Sequence, residues 1–393
     1  MAMKAFLNDI LRVMQREYER FGTRATYAFF AFLGPLIAFT LVIWLFSYNV
    51  PRKLPVALVD QDHTSLSRKL ASAADATPIA DIETYPDPAA AQKALMQGKV
   101  DAIYLIPAQT EKKVLSGQQA QVVLYLNNTN VLKGGLLTSG IMKSCLTLSS
   151  GIQVLSRTKK GETWEQALAA TMPVMPDTHI LFNPFINYSY FLASMLMPVM
   201  LIVFVLMGTV YAVGTELKQG TGVHWLETAR GNIWTALLGK MLPYTFIFLI
   251  QAWIMDLLLF HYLEVPLHGH LHVLLVTQLL LILSYQFLAV FLIAITSNLR
   301  LALSLAAAYT MMALTFSGLT YPLADMPPLA RSFASLFPFT YYLQNFIGQA
   351  LRNEPSVNGL IPMLWLWAFM VLGVLFVPRL RYLLTHEKFW GKI

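Results

Sequence analysis

Long apolar runs, separated by short polar stretches, make up most of this chain. A helix needs about 20 residues to cross a hydrocarbon core about 30 Å thick. Only one of the runs that reach this length carries charged side chains, Lys240 near its start and Asp256 towards its end. We predict six membrane-spanning helices, at residues 27–46, 190–213, 233–259, 273–296, 301–322 and 357–377.

Basic residues orient the predicted spans, because Lys and Arg near span ends are retained in the cytoplasm. Thirteen of them lie in the two terminal segments and in or beside the loops that follow spans 2 and 4. The short segments on the opposite side offer only Arg331 and Arg352. The asymmetry predicts a multi-pass membrane protein with both termini in the cytoplasm.

A further uncharged run at residues 332–351 is long enough to cross a membrane. It contains Pro338, Thr340, Gln344, Asn345 and Gln349, which are costly against lipid. A seventh span would also place one basic terminus outside. We therefore interpret residues 326–354 as an extracytoplasmic re-entrant or interfacial segment made of short helices.

The composition changes between the first two spans. That region holds 13 of the 28 basic and 11 of the 21 acidic residues, enough for one soluble domain. Apolar runs at 54–59, 100–106 and 121–126 predict strands, and 65–74, 88–96 and 136–155 predict helices. The expected architecture is an α-helical integral membrane protein with six spans and re-entrant helices. An extracytoplasmic α/β domain, residues 48–186, is inserted between span 1 (25–47) and the remaining spans (187–393).

Polar residues follow the first predicted strand. Asp60, Asp62 and His63 suggest a metal site, but short polar residues also end strands and begin turns, and we favour the turn. The nearly balanced charge of the domain gives no indication of a nucleic-acid partner.

The opening segment, residues 1–24, has apolar side chains at helical spacing, with Arg12, Arg16 and Arg20 four residues apart on another face. This pattern predicts a cytoplasmic amphipathic helix at the interface, drawn to the anionic lipids of the inner leaflet. A solvated helix ahead of the first span is the alternative.

A short polar loop, residues 215–232, separates spans 2 and 3. It is too small to fold alone, yet it carries Glu216, Lys218, Glu227 and Arg230. We interpret it as a surface offered to a cytoplasmic partner, with Glu216 a hydrated carboxylate at the end of span 2. The alternative is that Glu216 only marks the membrane boundary.

Residues 215–240 resemble the coupling region of the type-2 permease family of ATP-binding-cassette (ABC) exporters. The chain matches that family in four features: an acid four residues before Gly-Thr, an apolar pair, a Thr, and a later Gly-Lys. It departs from the family at Lys218, Val223 and Ala229. The matching residues are Glu216, Gly220, Thr221, Trp225, Leu226, Thr228, Gly239 and Lys240. A second family signature appears at Ser317, Gly318, Pro322, Met326, Pro327, Pro338 and Tyr341.

The resemblance covers essentially the whole chain and implies the membrane-spanning subunit of an ATP-driven exporter. It implies that Glu216, Lys218, Gly220, Thr221, Gly222, Trp225, Leu226 and Thr228 couple the chain to an ABC ATPase subunit. Gly239 and Lys240 would open span 3, and the Ser317–Tyr341 signature, residues 317–341, would form an extracytoplasmic gate. It further implies location in the bacterial inner membrane, a second permease copy or a paralogue, and contact with a periplasmic adaptor protein. The departures at three positions suggest pairing with a different permease.

No nucleotide-binding motif is present in the sequence. A phosphate-binding loop needs Gly-x4-Gly-Lys followed by Ser or Thr. The Gly-Lys pairs begin at Gly98, Gly239 and Gly391, and none is followed by Ser or Thr. We expect no catalytic residue and no cofactor in this chain, with ATP and Mg²⁺ bound by the partner subunit. The apolar spans suit a drug, a lipid or a lipid-linked substrate.

Another function class is a membrane-anchored receptor or scaffold whose extracytoplasmic domain binds a ligand or an envelope partner. It needs only one anchor and gives no role to the Gly-Thr loop. Paired carboxylates or a Ser-His-Asp set that would indicate a membrane enzyme do not occur with supporting spacing.

Two further groups of residues remain open to interpretation. His261, His268, His270 and His272 occupy the turn between spans 3 and 4 and suggest a metal site, although interfacial His residues in a Gly/Pro turn are commoner. We therefore expect no metal. Asp256 suggests a proton relay or a substrate contact, but we favour a position near the outer surface where it reaches water.

Overall fold

The computed structural model of the protein describes residues 2–47, 51–174, 179, 181–183, 187 and 189–391. The chain divides into two compact units, Met1–Asn49 with Ile180–Ile393, and Val50–His179. We call them the helical unit and the sheet unit. Within the described residues, six helices are long and apolar enough to cross a membrane, and they are named spans 1 to 6: Ala25–Leu45, Ser189–Lys218, Ile233–Tyr262, Leu271–Thr296, Leu299–Phe316 and Ser356–Thr385.

The apolar pattern predicted the six long helices but not all of their ends. The fifth was expected to continue to residue 322, and this is wrong, because the helix ends at Phe316. Gly318 follows with φ at +97°, a left-handed conformation that an L side chain rarely adopts. Span 2 extends to Lys218, beyond the predicted 213, because its last turn is buried within the protein.

Spans 2, 3 and 4 form the centre of the helical unit, and spans 1, 5 and 6 lie more exposed around them. The outer spans are apolar on their exposed sides as well, with side chains such as Trp44, Met311 and Trp365 uncovered. A helix that is apolar all round requires lipid or another protein against its outer face.

Helix α1, Ala2–Thr23, precedes span 1 and packs on span 3. The chain breaks between them at Arg24, whose backbone is extended. Arg16 and Arg20 do not lie on an exposed basic face with Arg12, as the helical spacing had suggested. Their side chains are only 13% and 16% exposed, because both reach a carboxylate inside the helical unit.

The sheet unit has four strands, β1 Leu54–Asp60, β2 Ala80–Thr84, β3 Ala102–Ile106 and β4 Val123–Leu126, in the order β2-β1-β3-β4. β1 is parallel to β2 and β3, and β4 is antiparallel to β3. The helices are α2 Ser65–Asp75, α3 Pro88–Met96, α4 Thr110–Leu115, α5 Val131–Thr158 and α6 Trp164–Thr171. Apolar side chains of α2 and α5 join one core against the sheet, and those of α3 join a second.

Hydrogen bonds at the end of β1 support the turn interpretation of the polar residues there. The Asp62 carboxylate accepts from the backbone N–H of Thr110 at 3.0 Å and of Glu111 at 2.9 Å. Burial slightly opposes ionisation, but these bonds lower the pKa of Asp62 below its ordinary value. Asp62 therefore fixes the start of α4 relative to β1.

The connection between spans 5 and 6 contains two short helices, α8 Pro328–Ala334 and α9 Pro338–Phe346. A π-helical turn, Ile347–Leu351, continues α9. No continuous helix runs over residues 332–351, because the chain breaks between Ala334 and Pro338. The short helices predicted there are present, and the seventh-span alternative is not.

Candidate functional site: a buried ion cluster beneath the loop between spans 2 and 3

The loop after span 2 contains one short helix, α7, Gly222–Thr228. Span 2 ends at Lys218, and Gly220 follows it with a φ of +66°, which permits the sharp turn that precedes α7. A Cβ on Gly222 would lie 3.0 Å from the Leu384 carbonyl oxygen. Only a glycine therefore lets α7 pack this closely on the last helix of span 6, α10, Val377–Thr385.

Glu216 lies at the base of this loop and is fully buried. Arg16 donates to both carboxylate oxygens, at 2.7 and 3.0 Å, and Arg20 donates to the same pair. Thr221 donates a further hydrogen bond, and the Lys240 ammonium lies 2.8 Å away. The expectation of a hydrated carboxylate facing a partner protein is wrong, because cations of this chain surround it.

A second buried carboxylate, Glu17 of α1, completes the group. Lys240 donates to Glu17, and the guanidinium groups of Arg16 and Arg20 lie 3.4 and 3.9 Å from it. We call Arg16, Glu17, Arg20, Glu216 and Lys240 the ion cluster. It joins α1, span 2 and span 3 through three cations and two carboxylates.

The ion cluster is stable in the interior because its positive and negative side chains neutralise one another. Burial alone would lower the pKa of Arg20, but the Glu216 and Glu17 carboxylates outweigh burial and raise it. Separating such groups leaves uncompensated buried charge, which is strongly destabilising. The cluster therefore holds α1, span 2 and span 3 together.

The Gly239-Lys240 pair has two distinct roles. A Cβ on Gly239 would lie 2.6 Å from the Val13 Cβ and 3.0 Å from the Ile10 carbonyl oxygen, so this position admits the close approach of α1. Lys240 supplies the charge and also lies over the ring of buried Trp225, 4.7 Å from its centroid. The pair therefore connects α1 and α7 to span 3.

The outer face of α7 presents a different set of residues. His224 and Glu227 have exposed side chains, and Arg230 follows them with its guanidinium 3.1 Å from the Asp9 carboxylate. Of the residues expected to couple to an ATPase, only Lys218 is well exposed. Gly220, Thr221 and Thr228 are half-buried, and Glu216, Gly222, Trp225 and Leu226 are buried.

Sequence reasoning missed Glu17 and the inward direction of Arg16 and Arg20. A signal was present, since Lys240 lies within an apolar run and a buried Lys requires a carboxylate partner. The family pattern gave no indication of the exposed His224 and Glu227.

The second signature, at residues 317–341, forms the connection between spans 5 and 6. Ser317 and Met326 are buried, and Gly318 supplies the left-handed turn. Tyr341 stacks on Trp365, with ring centroids 5.4 Å apart, and donates a hydrogen bond to the Ser335 carbonyl oxygen. The three prolines of the signature stand outside regular helix or at its first turn: Pro322 before a single 3₁₀ turn, Pro327 before α8 and Pro338 as the first residue of α9.

The histidines between spans 3 and 4 contact the segment that follows α9. The His270 Nδ1 lies 3.2 Å from the Gln349 Oε1, and the His268 N–H donates to the Ala350 carbonyl oxygen. In the part of the chain that the structure describes, no group of three or more His, Cys, Asp or Glu side chains is arranged to hold a metal ion.

Comparison with protein families decides the broader class. The family model of the ABC-2 family transporter proteins matches residues 25–377, most of the chain. This chain belongs to the ABC-2 transporter family. The ABC-2 chain is thus a membrane transport component of the permease type, and its family implies partnership with an ABC ATPase. No curated protein matches it.

Proposed function

We propose that this ABC-2 permease is the membrane-spanning subunit of an exporter. It would move a hydrophobic or amphipathic substrate, such as a drug, a lipid or a lipid-linked molecule, out of the cytoplasm or the inner leaflet. The observation that carries the proposal is the two-sided character of α7. Its inner face, with Trp225, lies against the ion cluster, and its outer face offers His224 and Glu227 to solvent.

The ion cluster converts a push on α7 into movement of several helices. Glu216 belongs to span 2, Lys240 to span 3 and Glu17 to α1, so displacement of one carries the others. ATP binding by a partner ATPase would press on the outer face of α7. Two packings of the spans with different affinity for the ATPase state would then alternate during transport.

The rest of the proposed assembly follows from the orientation of the chain. Both termini and α7 lie in the cytoplasm of a bacterial cell, with ATP and Mg²⁺ on the partner ATPase. The sheet unit and the connection carrying Ser317 and Tyr341 lie on the outer side, where the connection acts as a gate and the sheet unit meets a periplasmic adaptor. The exposed apolar sides of spans 1, 5 and 6 support contact with lipid and with a second permease copy or paralogue.

A receptor or scaffold would need only one anchor. It would have no use for a buried five-residue ion cluster connecting α1 with two further spans. The cluster therefore favours the transport function.

The test is a charge reversal on the outer face of α7 in the reconstituted complex with its ATPase subunit. Glu227→Lys combined with His224→Glu should reduce co-purification of the ATPase and substrate-stimulated ATP hydrolysis. Both side chains are exposed, so the thermal stability of the chain should not change. Glu165→Lys, at an exposed position of the sheet unit, is the matched control and should behave as wild type. Wild-type assembly and hydrolysis in the double variant would contradict the proposal.

A further inference from the structure

Asp256 is a second buried acid of span 3, and the ion cluster does not involve it. Sixteen residues separate it from Lys240, about 24 Å along the helix axis. Its side chain was expected to reach water, and this is wrong, since the residue is only 7% exposed. Gln278 of span 4 and Tyr342 of α9 lie against it.

Within the described residues, the side chains found against the Asp256 carboxyl are neutral. Gln278 Nε2 donates to both of its oxygens, at 2.8 and 2.9 Å. Across the described residues, Asp256 forms no ion pair with any Lys, Arg or His. Tyr342 of α9 is also near the carboxyl, and burial, together with that carboxyl, raises the pKa of its phenol, so Tyr342 is neutral.

The contrast with Glu216 is direct. Glu216 is buried to a similar degree but faces Arg16, Arg20 and Lys240. A buried carboxylate without a cation is unfavourable in a low-dielectric interior, and such a group takes up a proton instead. One bundle of helices therefore contains buried acids in two opposite electrostatic settings.

The Gln278 amide can pair with a protonated Asp256 as well as with an ionised one. As it stands, Gln278 Nε2 donates to both carboxyl oxygens. A half-turn of the amide exchanges Nε2 with Oε1, and Oε1 then accepts from a protonated Asp256. The contact with Gln278 therefore requires no charge on Asp256.

We propose that Asp256 is a proton-binding site. It holds one proton while span 3, span 4 and α9 are packed together, and it releases that proton to water when α9 moves away from the two spans. In the bound state the proton is on a carboxyl oxygen of Asp256. When it is released, it passes to water.

Helix α9 connects the Asp256 site with span 4 and with the start of span 6. Asn345 of α9 donates to the Thr277 hydroxyl of span 4 and to the Gly359 carbonyl oxygen at the start of span 6, both at 3.1 Å. Binding of a proton at Asp256 stabilises this packed arrangement. By linkage, the packed arrangement raises the affinity of Asp256 for the proton. A transport cycle that opens the connection between spans 5 and 6 would exchange a proton. This proton exchange during transport rests on the proposed function. The proposal that Asp256 binds a proton does not rest on it.

The test uses the purified full-length chain in detergent, without an ATPase. A membrane-soluble carbodiimide reacts with protonated carboxyl groups, and peptide mass spectrometry locates the modified residue. We expect modification at Asp256 that increases as the pH falls, and no modification at the ion-paired Glu17 and Glu216. Asp256→Asn should lose the signal, and Asp325→Asn, at an exposed position between spans 5 and 6, should retain it.

Infrared spectroscopy gives a second measurement that does not depend on access of the reagent. Wild-type protein should show a carbonyl band of a protonated carboxylic acid that is absent from Asp256→Asn. Identical spectra for the two proteins at every pH would overturn the proposal, as would carbodiimide modification of Glu216 but not of Asp256. Neither result depends on transport, so failure of the exporter assignment would leave this test intact.

Discussion

Lys240 of span 3 forms an ion pair with Glu17 of α1, a residue 223 positions earlier in the chain, and both side chains are almost completely buried. The same ammonium group lies 2.8 Å from Glu216. A Lys in an apolar run is costly unless it is paired. Its pairing here fixes the N-terminal helix to the centre of the helical unit.

Glu216→Gln should destabilise the chain, because Arg16, Arg20 and Lys240 would then share Glu17 as their carboxylate. Removing one partner from a buried ion pair costs about 3–5 kcal/mol. The thermal unfolding midpoint of the purified protein in detergent should fall accordingly.

Two variants separate this effect from a general loss of charge. Glu227→Gln changes an exposed carboxylate of α7 and should leave the unfolding midpoint unchanged. Adding Lys240→Met to Glu216→Gln reduces the uncompensated charge and should recover part of the lost stability. A wild-type midpoint for Glu216→Gln alone would show that the ion cluster contributes little.

Gly239→Ala should loosen α1. The new methyl group would lie 2.6 Å from the Val13 Cβ and 3.0 Å from backbone of α1, so α1 must shift. Overpacking of this kind costs about 1–3 kcal/mol. Limited proteolysis should cut within α1 faster than in wild type. Gly22→Ala is the control, because a Cβ there meets nothing within 4 Å, and equal cleavage of the two variants would refute the close-approach argument.

The proposed orientation can be measured by cysteine labelling. With Cys145, the only cysteine of the chain, replaced by Ser, single cysteines at Gln92 and Arg331 should react with an impermeant reagent added outside. Cysteines at Lys218 and Lys388 should react only after permeabilisation. All four positions are exposed within their own units, so a lack of labelling would not be caused by burial inside the protein. Reaction at Lys388 from outside would reverse the topology.

Asp62 should make the sheet unit sensitive to acid. Its folded pKa lies below the ordinary value, so its contribution to stability is present above the unfolded pKa and is lost as the pH falls through the folded pKa. Asp62→Asn should therefore reduce hydrogen-exchange protection of the Thr110 and Glu111 amides at neutral pH. The difference from wild type should disappear in strong acid. Asp81→Asn, at an exposed position of β2, should protect these amides as wild type does.

The local pattern of apolar and polar residues predicted the helices and strands that contain long apolar runs. The six spans, the break near Pro338 and strands β1, β3 and β4 all follow from runs that can be seen in the sequence. Strand β2, Ala80–Thr84, was missed, because it is an edge strand with only its first residue buried and carries Asp81 and Glu83. An exposed edge leaves little hydrophobic pattern to detect.

The site was less predictable, because its partners are far apart in the chain. Glu216 and Gly239 were identified through the family resemblance, but the direction of the Glu216 carboxylate depends on α1, about 200 residues earlier. Asp256 was placed near water since its position in span 3 suggested it, and the covering by Gln278 and Tyr342 comes from two other segments. Helical spacing cannot show which distant side chain covers a given face.

The ion cluster also sets an order for biosynthesis. Glu17 leaves the ribosome 223 residues before Lys240 does, and Glu216 is made between them. Until span 2 has been made, Arg16 and Arg20 lack the Glu216 carboxylate. Until span 3 has been inserted, Glu17 lacks Lys240 and α1 has no Gly239 surface to pack on. Helix α1 therefore stays undocked while the sheet unit and span 2 are synthesised. It docks only after span 3 has been inserted, so docking of α1 marks assembly of the first half of the permease.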